Sequence, residues 1–317
     1  MGAIVTFGET MLRLSPPDQQ RLESATTLEV VPGGAESNVA VAAACLGTPA
    51  TWLSKLPSSP LGRRVVSELR RYGVTVEVVW TESGRQGTYF LERAGQPRGT
   101  SVIYDRANAA VTSATADELA TESIREAETF LTSGITPALS STLEQTVGDV
   151  LEIAQVAGVQ TAFDVNYRST LWTPAQARDT LEQYFPAIDV LITPARDARN
   201  VLERAGDAGT IATDLAEEWD FETVVITCGA DGATAYADGT LVERPAFETE
   251  TIDPIGTGDA FVGGFLASRL EDRSLGTALE YGGAVAALKR TIPGDVAVVT
   301  RAEVDRVVEG DHAVIAR

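Results

Sequence analysis

Short β-rich runs alternate with helical patterns along the whole chain, and that alternation leaves few architectures open. Residues 4–8, 51–55, 129–133, 161–164, 190–193 and 223–227 are short, apolar and rich in β-branched side chains, as strands buried on both faces are. Amphipathic segments lie between them. In the clearest, over 139–156, Leu139, Leu143, Val147, Leu151 and Ala154 recur at spacings of three and four and share one helical face. Strand and helix in alternation predict an α/β fold, a doubly wound and mainly parallel sheet flanked by helices. Two stretches depart from the pattern, about residues 10–32 and 75–107. There, Thr88-Tyr89-Phe90-Leu91 and Ser101-Val102-Ile103-Tyr104 alternate as antiparallel strands do, which predicts a small β-sheet lid over the main sheet. No internal repeat, low-complexity tract or long linker divides the 317 residues. The expectation is a single domain over 1–317 with the lid inserted in its core.

Charge excludes several partners. The chain carries 45 Asp plus Glu against 25 Lys plus Arg, a formal net charge of −20, and its only lysines are Lys55 and Lys289. Such a surface repels nucleic acid and anionic membranes, so neither is expected as a partner. A carboxylate-rich, lysine-poor composition resembles that of proteins from salt-loving organisms, where concentrated salt screens the self-repulsion. An anionic substrate then needs local arginines. Cys45 and Cys228 fall in separate apolar segments without CxxC spacing and read as buried structural thiols. The one histidine, His312, sits in the terminal tail, which argues against Ser-His-Asp, Cys-His and His-zinc chemistry. Catalysis is left to carboxylates and backbone dipoles. The amino terminus runs straight into Ala3-Ile4-Val5-Thr6-Phe7, and no apolar run reaches the roughly 20 residues of a membrane helix. A soluble, cytoplasmic protein is expected.

The stretch Asp253-Pro254-Ile255-Gly256-Thr257-Gly258-Asp259-Ala260-Phe261, continued by Val262-Gly263-Gly264-Phe265, carries the most chemistry. Two glycines before an apolar helix let backbone N–H groups converge on an anion. Asp259 then stands where a base can take a proton from a hydroxyl, while Gly256, Thr257 and Gly258 stabilise charge on a transferring phosphoryl group. Alone, the segment reads equally as a glycine turn whose aspartate starts a helix. A second segment, Pro32-Gly33-Gly34-Ala35-Glu36-Ser37-Asn38-Val39-Ala40, puts paired glycines before a helix over 39–46. Asn38 offers donor and acceptor groups to sugar hydroxyls, or simply to the adjoining loop as an N-cap. A third turn, Gly229-Ala230-Asp231-Gly232, follows a strand ending at Thr227 and alone reads as a hairpin turn.

With these segments near opposite ends of the chain, and with the alternation and the lid between them, the sequence resembles the ribokinase-like carbohydrate kinases, the PfkB family, over nearly its whole length. The resemblance implies a ribokinase-like α/β core, an acceptor sugar under the lid, and ATP with Mg2+ along the carboxyl edge of the sheet. It makes Asp259 the catalytic base and Gly256, Thr257 and Gly258 the anion hole. Thr227, Gly229, Asp231 and Gly232 match the nucleotide-binding loop, with Asn166, Gly256 and Gly258 also facing the nucleotide. Gly34, Asn38 and Asn166 face the sugar. A homo-oligomer, dimer or higher, paired through the lid is also implied.

Within that family several segments look like 2-keto-3-deoxygluconate kinases: Gly8-Glu9-Thr10-Met11-Leu12-Arg13-Leu14-Ser15-Pro16, Phe163-Asp164-Val165-Asn166-Tyr167-Arg168, and above all Ile103-Tyr104-Asp105-Arg106-Ala107-Asn108-Ala109-Ala110. A keto acid needs its carboxylate neutralised, which arginine does bidentately. Arg106 on the lid and Arg168 after a core strand are the candidates, although either alone reads as a surface ion pair. Tyr89 and Tyr104 either meet the carbon skeleton and its oxygens or pair with each other in the lid sheet. Asp295 is similar to an aspartate that this subgroup presents to a substrate hydroxyl. The chain departs from the family at Pro194-Ala195-Arg196-Asp197, where many members carry Asn-x-x-Glu, and no metal ligand is assigned there. The implied reaction is ATP-dependent phosphorylation of the terminal C6 hydroxyl of 2-keto-3-deoxygluconate in an Entner–Doudoroff-type route, with the epimer 2-keto-3-deoxygalactonate left open. The other readings are a fructokinase or other hexose kinase of the same family, and a non-catalytic sugar- or nucleotide-binding regulator. A dinucleotide oxidoreductase lacks its G-x-G-x-x-G after the first strand.

Overall fold

The computed structural model describes residues 2–95 and 97–310, and His312 lies outside them. The β-branched runs form β1 (Ile4–Phe7), β4 (Ala50–Pro57), β5 (Thr75–Thr81), β8 (Thr129–Ser133), β9 (Gln160–Asp164), β10 (Val190–Pro194) and β11 (Thr223–Thr227), joined at one edge by β12 (Ala233–Ala237) and β13 (Thr240–Arg244). They make one nine-stranded sheet in the order β13-β12-β11-β10-β9-β8-β1-β4-β5. Neighbours from β11 through to β5 run parallel, with Ile4 opposite Ala50 on one side and Thr129 on the other. β12 and β13 pair antiparallel.

Alternate side chains point to opposite faces of a strand, so this sheet builds two cores. Ile4 packs among the helices Ala35–Cys45, Thr257–Arg269 and Leu275–Arg290, whereas Val5 and Phe7 pack among Ser141–Val156, Pro174–Tyr184 and Ala208–Trp219. The helix expected over 139–156 begins at Ser141, because the Ser140 hydroxyl accepts from Leu143 N–H at 3.1 Å and caps it. The helix expected from Val39 begins at Ala35, with Gly34 as its N-cap, so Asn38 lies inside the first turns and is not a cap. Small residues let Thr257–Arg269 sit between its neighbours. A Cβ on Gly263 would stand 2.6 Å from Ala42 Cβ and 2.8 Å from Val39 O. Cys45 and Cys228 are free and half-buried, less enclosed than expected, since each lies near the end of its element.

The lid is a second, four-stranded sheet in the order β3-β2-β6-β7, built from β2 (Met11–Ser15), β3 (Glu29–Gly33), β6 (Thr88–Glu92) and β7 (Ser101–Asp105). Two details differ from expectation. Thr75–Thr81 extends the main sheet beside β4 and does not belong to the lid, because the helix Pro60–Arg71 makes it the return of an ordinary parallel crossover. The lid is also mixed, since its two hairpins meet along β2 and β6, which run parallel with Leu12 opposite Thr88. Strand order reverses between β1 and β8, and ligands in open α/β sheets bind at the carboxyl ends beside such a reversal. No helix among the described residues is long and apolar enough to cross a membrane.

Candidate active site

A cavity of roughly 420 Å³ opens at that reversal, between the carboxyl ends of the strands and the lid. Gly34, Asn38, Tyr89, Tyr104, Arg106, Asn166, Arg168, Thr227, Gly256, Thr257, Gly258, Asp259 and Asp295 all line it. The remaining expected residues lie beyond the anion loop. Gly229 and Gly232 join Thr227, Thr257, Gly258 and Phe261 around a cavity of about 190 Å³, and Gly229 and Asp231 border an open cleft with Pro194 and Arg199. Thr227 borders all three spaces, so the turn expected to face a nucleotide and the residues expected to face a sugar meet beside Thr257 and Gly258.

Gly256 is the N-cap of the helix Thr257–Arg269, at φ 78°, and no side chain caps that helix. A Cβ there would fall 1.9 Å from Asp295 O in a left-handed backbone, so the position accepts only glycine. The helix end therefore keeps N–H donors and the positive end of its dipole for an anion. Thr257 contributes less than expected, since both its N–H (3.3 Å) and its hydroxyl (2.7 Å) turn back to Pro254 O. Asp259 sits in the first helical turn, half-buried, with Oδ2 accepting from Asn38 Nδ2 at 2.7 Å. Burial pushes its carboxyl up to about 6, while the Asn38 hydrogen bond, Arg168 and Lys289 favour the charged form. A carboxylate of that acidity is ionised at neutral pH and basic enough to draw a proton from a positioned hydroxyl.

Three further carboxylates crowd the same space. Burial raises Asp164 to about 8, with Asp259 and Asp197 adding repulsion and Arg168 opposing it. Glu36 accepts from Ser133 Oγ at 2.6 Å and Thr136 Oγ1 at 2.8 Å, and burial lifts it to about 7. Glu9 is likewise lifted to about 7 by burial, against the pull of Arg106, and its Oε1 has no partner. None of the three was picked out from the sequence. Glu36 stands between Gly34 and Asn38 in a recognised segment, Asp164 ends the strand Gln160–Asp164, and Glu9 follows β1 in the short link to β2, so their positions were the available signal.

The expected carboxylate anchors differ in their commitments. Arg106 already pairs with Glu9 at 3.0 Å and lies 4.6 Å over the Tyr104 ring, so a ligand has to share it. Arg168 donates only to Tyr167 O, at 3.3 Å, and makes no ion pair among the described residues. Tyr89 and Tyr104 face each other across β6 and β7 with ring centroids 5.9 Å apart, and both line the cavity, so the two readings of this pair hold together. Asp295 is less available to a substrate hydroxyl than expected. Tyr89 donates its hydroxyl to Oδ2, and Arg13, buried on β2, donates to Oδ1 at 2.6 Å and to Asp253 Oδ2 at 2.8 Å. Arg13 thus ties the lid to the anion loop, a role that a long-range contact hides from the sequence. No group of three or more His, Cys, Asp or Glu residues forms a metal cage among the described residues.

A carboxylate at an uncapped helix start, where a cavity lined by charged side chains meets a cleft on a doubly wound sheet, is an arrangement suited to a phosphotransferase that acts on an alcohol. Residues 1–300 match the pfkB family carbohydrate kinases, and the chain belongs to that family. It is 58% identical over 314 residues to the 2-dehydro-3-deoxygalactonokinase of Haloferax volcanii, covering 99% of each chain. The 2-dehydro-3-deoxygluconokinase of Bacillus subtilis is 29% identical over 302 residues, 92% of this chain and 90% of that one. Among solved structures, the 2-dehydro-3-deoxygluconokinase of Thermotoga maritima superposes with a TM-score of 0.91 at 33% identity, covering 97% of this chain and 98% of the other.

Proposed function

We propose that this kinase transfers the γ-phosphoryl group of ATP to the terminal C6 hydroxyl of a 2-keto-3-deoxy sugar acid, with 2-keto-3-deoxygluconate and its galactonate epimer as the acceptors. The observation that carries this reading is one cavity that holds both Asp259 at an anion-binding helix start and two guanidinium groups, those of Arg106 and Arg168. The family supplies the transfer chemistry, and the arginines answer the need of an acid acceptor for a countercharge in a site crowded with carboxylates. The relative at 58% identity is named for the galactonate epimer and those from Bacillus and Thermotoga for the gluconate, so both belong in the proposal.

Arg168 and Arg106 hold the acceptor carboxylate, and Tyr89 and Tyr104 pack on the carbon chain, so that the far hydroxyl points at Asp259. Asp259 takes the hydroxyl proton as the oxygen attacks, held in place by Asn38. Amide N–H groups around Gly256 and Gly258 take up charge on the transferring phosphoryl group. ATP lies toward Thr227, Gly229, Asp231 and Gly232. The mutual repulsion of Asp164, Asp259 and Asp197, and the buried, unpartnered Oδ2 of Asp197, suit a divalent cation nearby. Mg2+ carried in on the ATP phosphates would be held by Asp164 and, through water, by Asp197, and would neutralise phosphate charge.

An assay of ADP release in concentrated KCl, with MgATP and each of 2-keto-3-deoxygluconate, 2-keto-3-deoxygalactonate, fructose and ribose, tests the proposal. Turnover on the keto acids and not on the neutral sugars is expected. Turnover on fructose or ribose alone would overturn the acceptor, and silence on all four would favour a binding protein.

A further inference from the structure

Lysine is nearly absent from this chain, yet Lys289, one of the two, is wholly buried. It leaves the last turn of Leu275–Arg290, and its Nζ donates to two backbone carbonyls, Asp253 O at 3.0 Å and Ile292 O at 3.1 Å. These oxygens belong to the two segments that build the anion loop. Asp253 opens the loop, and the turn after Ile292 supports it: Gly294 N–H donates to Asp253 Oδ2 at 3.0 Å, and Asp295 O lies directly under Gly256. The Asp253 and Asp295 carboxylates stabilise the ammonium, against a burial that pushes its pKa below the ordinary lysine value. Burying an ammonium is costly, and two carbonyls alone need only neutral donors. The charge itself therefore requires a reason.

We propose that Lys289 is a positioning residue for phosphoryl transfer, a tethered cation that draws the Asp253 carbonyl and the Ile292 turn together and so fixes Gly256, Gly258 and Asp259 against the transferring group. The proposal rests on the kinase reading above. The same ammonium favours the ionised form of Asp259, so its field reaches the base as well as the loop. Carbonyl oxygens are also the groups that replace the hydration shell of a free monovalent cation. Shortening Lys289 leaves a space bordered by two carbonyls, within the field of the Asp253 and Asp295 carboxylates, and a small monocation can take the place of the lost ammonium.

The test compares wild type, Lys289→Ala and Lys289→Gln at constant ionic strength in tetramethylammonium, ammonium or potassium chloride. The wild type is expected to turn over alike in all three. Lys289→Ala is expected to lose about 100-fold in kcat, with little change in KM, in tetramethylammonium, as a displaced reacting group does. Ammonium or potassium then restores most of the rate and raises the thermal midpoint. A folded alanine variant with unchanged kcat in tetramethylammonium overturns the proposal. So does a loss that neither small cation relieves, or a wild type that itself stops in tetramethylammonium. Where the alanine variant folds in none of the salts, Lys289→Gln decides: a lower kcat at unchanged KM supports the proposal, and an unchanged kcat overturns it. A wild type without kinase activity would instead overturn the kinase reading, and rescue of the thermal midpoint still tests the cation site.

Discussion

At the residue scale the site depends on how burial sets the charge of single carboxylates. With Asp259 held at about 6, the acid limb of kcat/KM is expected to fall below a midpoint near that pH, because the base must be ionised in the free enzyme. A limb near pH 4 would show that Asp259 is not the group observed. Asp259 and its glycines were legible because their spacing is itself the device. Glu9, Glu36 and Asp164 were not, since a carboxylate in a sequence carries no mark of its burial. The same limit applies to Arg106 and Asp295, whose residue types pointed to the cavity while their partners, Glu9 and Arg13, come from segments far apart in the chain.

At the element scale the parallel sheet was legible in nearly every strand, because a strand buried on both faces needs an apolar, β-branched run. The lid was harder. Its hairpins alternate as expected, but the parallel join of β2 to β6 is decided by packing and leaves no local pattern, and β5 has a half-buried composition close to that of a lid strand. Arg13 fastens this lid to the core. Arg13→Met is expected to destabilise the chain by about 3–5 kcal/mol, since it takes the paired cation from buried Asp295 and leaves buried Asp253 only the longer Arg93 contact at 3.3 Å. Denaturant unfolding measures this, and a loss under 1 kcal/mol would show that the pairing is dispensable. The close approach at Gly263 gives a second check. Gly263→Val is expected to cost about 1–3 kcal/mol by overpacking against Ala42 and the Val39 carbonyl.

At the scale of the whole molecule, acidity governs stability. Glu9, Glu36 and Asp164 are raised in the folded chain to about 7, 7 and 8, so it holds protons that the unfolded chain has released. Their contribution is full below the ordinary carboxylate range and is lost as pH rises through 7 to 8. Carboxylates held low, such as Glu118 beside Lys55, lose theirs only in acid. The thermal midpoint of the ligand-free chain should therefore fall between about pH 5 and 8, and a midpoint that climbs across that window would contradict the assignments. A net charge of −20 predicts a midpoint that rises from dilute to concentrated KCl as repulsion is screened. The expected pairing of subunits through the lid predicts that Ile103→Asp, at an exposed site on β7, lowers the sedimentation coefficient. The most direct measurement follows the phosphorus by NMR in 2-keto-3-deoxygluconate or its galactonate epimer incubated with MgATP and either wild type or Asp259→Asn. The account predicts phosphate on C6 with wild type and a turnover lower by about 10²–10⁴ with the variant, both binding the acceptor alike. Phosphate at another carbon, or near-full turnover by Asp259→Asn, would contradict it.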